Sequence, residues 1–421
     1  MNNEEIANTA ADGDEKFLSK PLMIIFVTIF IDLVGFGIVI PLLPFYVKEF
    51  QATPVDFGLL MSSYSLMQFV FSPIWGALSD RYGRRPILFL TIIGAGIGNL
   101  MVGFAGGLWM LYAGRIFAGV MAGNLSTAQA YIADVTSRAN RAKGMGLFGM
   151  AFGLGFILGP ALAGVLSKFG IYVPFLFAAG LSFANATLLY FILPESRHYD
   201  PDAPAAKRAG RISELLETLK EPRFRTLMTE YFLLVAAFSI MTTAFAYYTM
   251  FNFGFDAERT GYLLAYVGFL AAISQGVLFG VFAKKFGEAW LAVIGSLMLV
   301  ISLFAVPFID SAHGGILGLL GGTALFAIGN SMASPALTSL ASKSADELSQ
   351  GKTMGILQSA ASLARVVGPL LCGFLLNNAV SQVDANSLMR TFWTATAIMC
   401  LALIFAVYYL AKRPVSMDGL A

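Results

Sequence analysis

The 421-residue sequence is short of charge: 12% of it is Asp, Glu, Lys or Arg, against roughly 25% in a soluble domain. It has two cysteines and two histidines. Cys372 and Cys400 lie in apolar runs at no disulfide or metal-ligand spacing, so they read as small helix-packing residues. His198 and His313 fall in loops, and no nucleophile–base pair or metal cluster can be drawn, which argues against an enzyme. No cofactor or metal is expected. With 27 basic and 25 acidic residues the chain has no excess charge to offer nucleic acid. The polar, acidic start (Glu4, Glu5, Asp12, Asp14, Glu15) lacks the basic stretch, short apolar core and cleavage site of a secretory signal.

What abounds is apolar: 57% of residues, with a mean hydropathy of +0.74. Such a chain must bury side chains in lipid as well as in itself. About twelve segments near the ~20 residues a bilayer requires can be drawn. They run over 21–46, 55–78, 86–107, 108–130, 143–167, 171–193, 224–250, 259–283, 288–310, 314–341, 351–378 and 387–411. Continuous apolar runs without alternation predict helices, not a membrane barrel. The expected architecture is an all-α membrane protein of twelve transmembrane helices in two six-helix bundles. Residues 1–20 form an amino-terminal tail, 21–193 the first bundle, 194–223 a linker, 224–411 the second bundle and 412–421 a carboxy-terminal tail. Of the 27 Lys and Arg residues, 21 fall on one set of loops and tails and four on the other. That bias predicts a cytoplasmic location for both termini. Within the linker, Ile212–Lys220 reads equally as a short amphipathic surface helix or as solvated chain.

The halves repeat weakly. Lys143-Gly144-Met145-Gly146 is echoed by Lys352-Thr353-Met354-Gly355, Gly159-Pro160 by Gly368-Pro369 and Gly164 by Gly373, all at an offset of 209. Gly76, Arg81 and Gly83 are echoed by Gly280, Lys285 and Gly287 at an offset of 204. There the second copy has Lys284 in place of Asp80 and Glu288 in place of Arg84. Duplicated bundles are a hallmark of alternating-access transporters, with the substrate site between them near mid-membrane.

Between the second and third spans, Gly76–Pro86 reads GALSDRYGRRP. It resembles the signature loop of the major facilitator superfamily, G-x-L-x-D-R-x-G-R-R. The resemblance implies a cytoplasmic gate formed by Gly76, Asp80, Arg81, Gly83, Arg84 and Arg85. In it, Asp80 would bond the start of a helix in the other half, the eleventh, where an acid suits the positive dipole end. Topology anchoring alone is the plainer reading for the three arginines. The fifth span carries Gly149, Gly153, Gly155, Gly159-Pro160 and Gly164. This ladder resembles the family's antiporter motif, for which Gly155, Gly159, Pro160 and Gly164 are singled out, and implies packing against the second half.

Asp32 lies near mid-depth in the first span. A carboxylate there costs about 2.5–3.5 kcal/mol on insertion scales, so its default reading is functional. Asp32–Pro44 resembles the first helix of drug:proton antiporters, the tetracycline-efflux branch especially, which implies a proton-carrying acid. A helix-packing hydrogen bond is the structural alternative. Arg115, in Leu111–Gly119, resembles the family's fourth-helix arginine, linked to proton coupling. It stays charged in proteins, so its expected work is to hold Asp32 or substrate charge, or else to form a structural ion pair. Arg365 is a second intramembrane cation, expected to face the cavity or meet an acid. Glu230, early in the seventh span, is expected to snorkel toward the cytosol. Candidate cavity residues are Asn124, Gln129, Asn252, Gln275, Asn330 and Gln358, with Tyr64, Tyr247 and Tyr248 as aromatic walls.

The resemblance implies a proton-coupled antiporter exporting an organic solute or drug from a bacterial inner membrane, a monomer driven by the proton gradient. A symporter or lipid transporter of the same fold is the alternative within transport; a non-transporting solute sensor is the alternative outside it. The chain departs from the tetracycline exporters in lacking acids at Ile93–Asn99 and Ile294–Met298. The departure implies a neutral, lipophilic or anionic solute in place of a metal-chelated one.

Overall fold

The computed structural model describes residues 20–136, 141–196, 221–344, 350–380 and 382–412. Both tails and most of the expected linker, with Ile212–Lys220 and His198, lie outside the described residues. Helices account for nearly all of the rest. They are α1 (Lys20–Glu49), α2 (Pro54–Tyr82), α3 (Arg84–Gly103), α4 (Leu108–Val120), α5 (Asn124–Val135), α6 (Arg141–Ser167) and α7 (Val173–Ile192). After the linker come α8 (Pro222–Phe253), α9 (Ala257–Ile273), α10 (Phe279–Phe286), α11 (Glu288–Ala305), α12 (Gly315–Lys343), α13 (Gln350–Leu376) and α14 (Ala385–Ala411).

Local chemistry sets the helix boundaries. Thr53 and Asp56 form a reciprocal capping box, and Pro54 opens α2 where its missing N–H costs nothing. Asp384 and Ser387 do the same for α14. Gly254 closes α8 in the left-handed region (φ 62°). Gly83 (φ 99°, ψ 155°) allows the abrupt passage from α2 to α3, and Gly287 (φ 77°, ψ 155°) repeats it between α10 and α11.

Ten helices among the described residues are long and apolar enough to cross a membrane, counting Ala257–Phe286 as one. A five-residue π-turn, Ser274–Leu278, joins its two parts α9 and α10. The expected fourth and fifth spans are the ones that fall short. In the fourth, Trp75 Nε1 donates to Val120 O (2.5 Å), taking the carbonyl that residue 124 would use in a continuous helix. The chain breaks at residues 121–123 and restarts as α5. The expected fifth span lies within α6, in which Gly153–Ser167 is a shorter apolar stretch among the described residues.

Within the first half, α1 packs on α6 and α7, and α3 on α7; in the second, α8 packs on α13 and α14, and α11 on α12. Two helix pairs carry most of the contact between the halves, α2 with α13 and α6 with α9, and α1 also touches α8 and α9. The two main pairs are glycine contacts. A Cβ on Gly373 would stand 2.8 Å from Pro54 O and 3.0 Å from Gly58 Cα. One on Gly261 would stand 2.6 Å from Pro160 O and 2.8 Å from Gly164 Cα. Ser62 Oγ donates to Val366 O (2.8 Å), Phe57 meets Tyr247 edge-on, and Lys168 pairs with Glu258 (2.8 Å). All of these lie at the end of the molecule away from the Gly76–Pro86 loop. At the loop's own end, a Cβ on Gly76 (α2), Gly280 (α10) or Gly355 (α13) would meet nothing within 4 Å. The described contacts between the halves thus gather at the end away from the Gly76–Pro86 loop.

Candidate functional site

The break before α5 places Asn124 at a helix start, and its side chain serves two bonds there. Oδ1 accepts from the Leu125 amide (2.9 Å), while Nδ2 donates to Asp32 Oδ2 (2.5 Å). Asn124, expected as a substrate contact, is thus the partner of the intramembrane acid. Asp32, Asn124, Thr28, Ile29, Leu88, Ile92, Leu125 and Ala128 line a cavity of about 10 Å³, room for roughly one water. Thr28 Oγ1 is buried there without a hydrogen-bond partner. On the same helix face, Thr28 O accepts from Asn185 Nδ2 (2.9 Å).

Arg115 does not meet Asp32. It is 4% exposed, with its guanidinium carbon 4.2 Å from the centroid of the Tyr64 ring, and Nε has no hydrogen-bond partner. This is a cation–π contact in a dry setting, where such pairs contribute about 2 kcal/mol. Tyr64, on α2, is the residue whose ring Arg115 covers. Its ring packs beside Phe36, which in turn meets Phe156 of the antiporter-motif helix. Arg365 donates from Nε to Ala361 O of its own helix (3.2 Å), without an ion-pair partner. The core of the site is therefore an amide-held acid on α1 and, on α4, an arginine seated over the Tyr64 ring. The sequence could place Tyr64 among the aromatic walls; its place under Arg115 depends on side-chain packing.

The other candidate contacts scatter. Gln129 and Asn330 are half-buried, and Gln275 and Gln358 are exposed. Tyr247 is buried at the end where the halves meet, against Phe57. Asn252 is a structural residue at that end, bonding Ile309 O and accepting from the Ser311 amide. Tyr248 likewise donates to Val306 O and Ile309 O.

In the signature loop, Arg84 is 5% exposed and engages three groups: Asp80 (2.7 Å), Asp134 (3.0 Å) and Ser79 Oγ (2.7 Å). The backbone N–H groups of Arg84 and Arg85 both donate to the carboxylate of Glu195 (2.8 and 3.1 Å). Glu195 thereby caps the positive end of α3. Arg85 also donates to Tyr190 O and lies over the Tyr190 ring. Arg81 is exposed over Tyr82. Among the described residues, Asp80 pairs with Arg84 inside its own loop. Asp134 and Glu195 escape sequence reading because they come from α5 and from beyond α7. In the antiporter motif, Gly155 and Gly159 seat α6 against α1, at Leu33 and Gly37. Pro160 and Gly164 face α9 of the other half.

The family model for the major facilitator superfamily matches residues 25–369 and 231–419. The chain belongs to the major facilitator superfamily. It is 31% identical to the class H tetracycline resistance protein of Pasteurella multocida, over 94% of this chain and 98% of that one. It is 28% identical to multidrug resistance protein 2 of Bacillus subtilis, over 85% and 89% respectively. Among solved structures, it shares a fold (TM-score 0.70, 23% identity) with the human organic anion transporter MFSD10, covering 92% of this chain and 99% of that one. As a member of this superfamily it is an integral membrane transporter and not an enzyme.

Proposed function

We propose that this major facilitator protein is a proton-coupled exporter of an organic solute or drug, working by alternating access between two six-helix halves. In this reading α4 and α5 together make one span, α9 and α10 another, and α6 completes the set of twelve. Both termini and the Gly76–Pro86 loop lie in the cytoplasm. The relatives' names support drug export. Asp32 supports proton coupling: it is an acid in the first span held by a neutral amide, while Arg115 is engaged by Tyr64. An acid without a cationic partner is free to exchange its charge for a proton when access changes. Arg115 and Arg365, without ion-pair partners among the described residues, suit a neutral, lipophilic or anionic solute. No cofactor is needed, since the gradient supplies the energy. One proton moving down ~100 mV releases ~2.3 kcal/mol, and a one-unit pH difference adds ~1.4 kcal/mol. Together they sustain roughly a few-hundred-fold gradient at one-to-one exchange.

The test begins with a thermal-shift screen for ligands, followed by proton flux in proteoliposomes. Asp32→Asn is expected to abolish substrate-driven proton movement while leaving ligand binding measurable. Arg115→Ala is expected to lower flux at least tenfold. Unchanged pH dependence in both variants would sink the coupling. A luminal pH change of the opposite sign would identify a symporter.

A further inference from the structure

Glu230 on α8 does not snorkel. It is 0% exposed, and neither carboxylate oxygen has a hydrogen-bond partner. Its side of the helix is apolar: Leu227 and Leu234, one turn away on either side, are fully buried in the second-half core. An ionised carboxylate without partners in such a setting costs several kcal/mol or more, and natural chains tolerate one only where something neutralises it.

No described cation on the neighbouring helices bonds Glu230. Arg365 on α13 bonds Ala361 O, and Lys343 on α12 holds both oxygens of Glu288 (2.8 Å each). On α14, Lys412 stacks on Tyr408 and Arg390 bonds Leu375 O and Asn377 O. On α8 itself, Arg223 and Arg225 are exposed at the start of the helix. The remaining titratable groups on these elements, Tyr231, Tyr247, Tyr248, Cys372, Cys400 and Tyr409, make no bond to it. Lys352 on α13 is a residue whose side chain is not described. With no exposed surface, the site has no room for an organic cation or a hydrated metal ion. A proton needs no volume.

Repetition does not require the acid either. Offsets of 204 to 209 put the counterpart of Asp32 within Ala236–Met241, which has no acid. The helix that carries Glu230 also packs on one that joins the halves. Gly368 of α13 is seated against Ser239 and Ala236 of α8, and α13 is the helix that meets α2 across the halves. Movement of that cross-half contact is passed directly to α8.

We propose that Glu230 is a second proton-carrying carboxyl, housed in the second half and separate from Asp32. It keeps its O–H bond in the state described here. It gives the proton to water when rocking of α13 against α8 opens the loop end of the α8–α13–α14 contact, and regains it from water on return. This deepens the proton-coupled reading and rests on it: the exchange would involve two protons per cycle, one in each half.

Infrared difference titration of the purified full chain in lipid vesicles reads protonated carboxyls directly. The wild type is expected to show two titrating bands. Glu230→Gln should remove one, Asp32→Asn the other, and the double variant both. Heavy-carbon labelling of glutamate side-chain carboxyls in the wild type should shift one band only, so the assignment does not depend on a variant that folds. A wild-type spectrum with no shifting band, or one that never titrates, overturns the proposal for Glu230. Loss of the aspartate band alone leaves it standing and instead removes the role given to Asp32.

Discussion

The loop after α2 and its repeat after α10 share a backbone and differ in everything attached to it. Gly83 and Gly287 adopt nearly the same conformation, each starting a helix at once. The first loop then places a cation, Arg84, at the helix start, where the dipole disfavours it. It compensates with acids from elsewhere: Asp80, Asp134 and the Glu195 cap. The second places an acid, Glu288, at the same point, where the dipole favours it. Glu288 accepts from Lys343 and from Ser339 (2.6 Å). Lys343 stands 209 positions after Asp134, the offset of the other repeats. The pair Arg84–Asp134 has thus become Glu288–Lys343, with its polarity reversed. Geometry was kept through duplication while charge was free to change. The first loop depends on two distant segments, α5 and the chain after α7, and the second on one exposed lysine.

The largest effect that would test this contrast is Arg84→Glu. It removes three bonds from a buried cation and sets like charges together, for a loss of about 3–5 kcal/mol, read as a lowered midpoint in detergent unfolding. Combining it with Asp134→Arg should recover much of the loss, as the second repeat already shows the reversed pair to be viable. Equal damage in single and double variants would mean that the reversal is not what the site tolerates. Next are the glycines that join the halves. Gly58→Leu and Gly261→Leu each place a side chain into backbone at the end where the halves meet and should cost about 1–3 kcal/mol. Spin-label distances across that end should lengthen in both; a change in only one would show that the two cross-half contacts are not equivalent. The smallest effect belongs to the second loop. Glu288→Lys with Lys343→Glu should leave stability within about 1 kcal/mol, because Lys343 is largely exposed.

The sequence carried the spans, the repeat, the signature loop and the intramembrane acid plainly, because lipid forces long apolar runs and makes each interruption conspicuous. Glu288 in the place of Arg84 was visible as well. Its partner was not, since Lys343 looks like any loop lysine until α11 and α12 pack. The break at residues 121–123 left no strong mark, as it results from one indole N–H reaching across from α2. For the same reason Asn124 looked like a cavity residue, and Glu230 like a surface-seeking one. Depth along a helix can be counted from a sequence; the direction a side chain faces around it depends on which neighbours pack there.

The break has one more consequence. It makes α5 a short, separate helix of twelve residues whose first residue, Asn124, holds Asp32 and whose next-to-last, Asp134, holds Arg84. These two residues are ten positions apart, ~15 Å along the axis. A helix of that length is stiff, so a small tilt at one end becomes a displacement at the other. The intramembrane acid and the arginine that organises the signature loop are thus held by the two ends of one short helix.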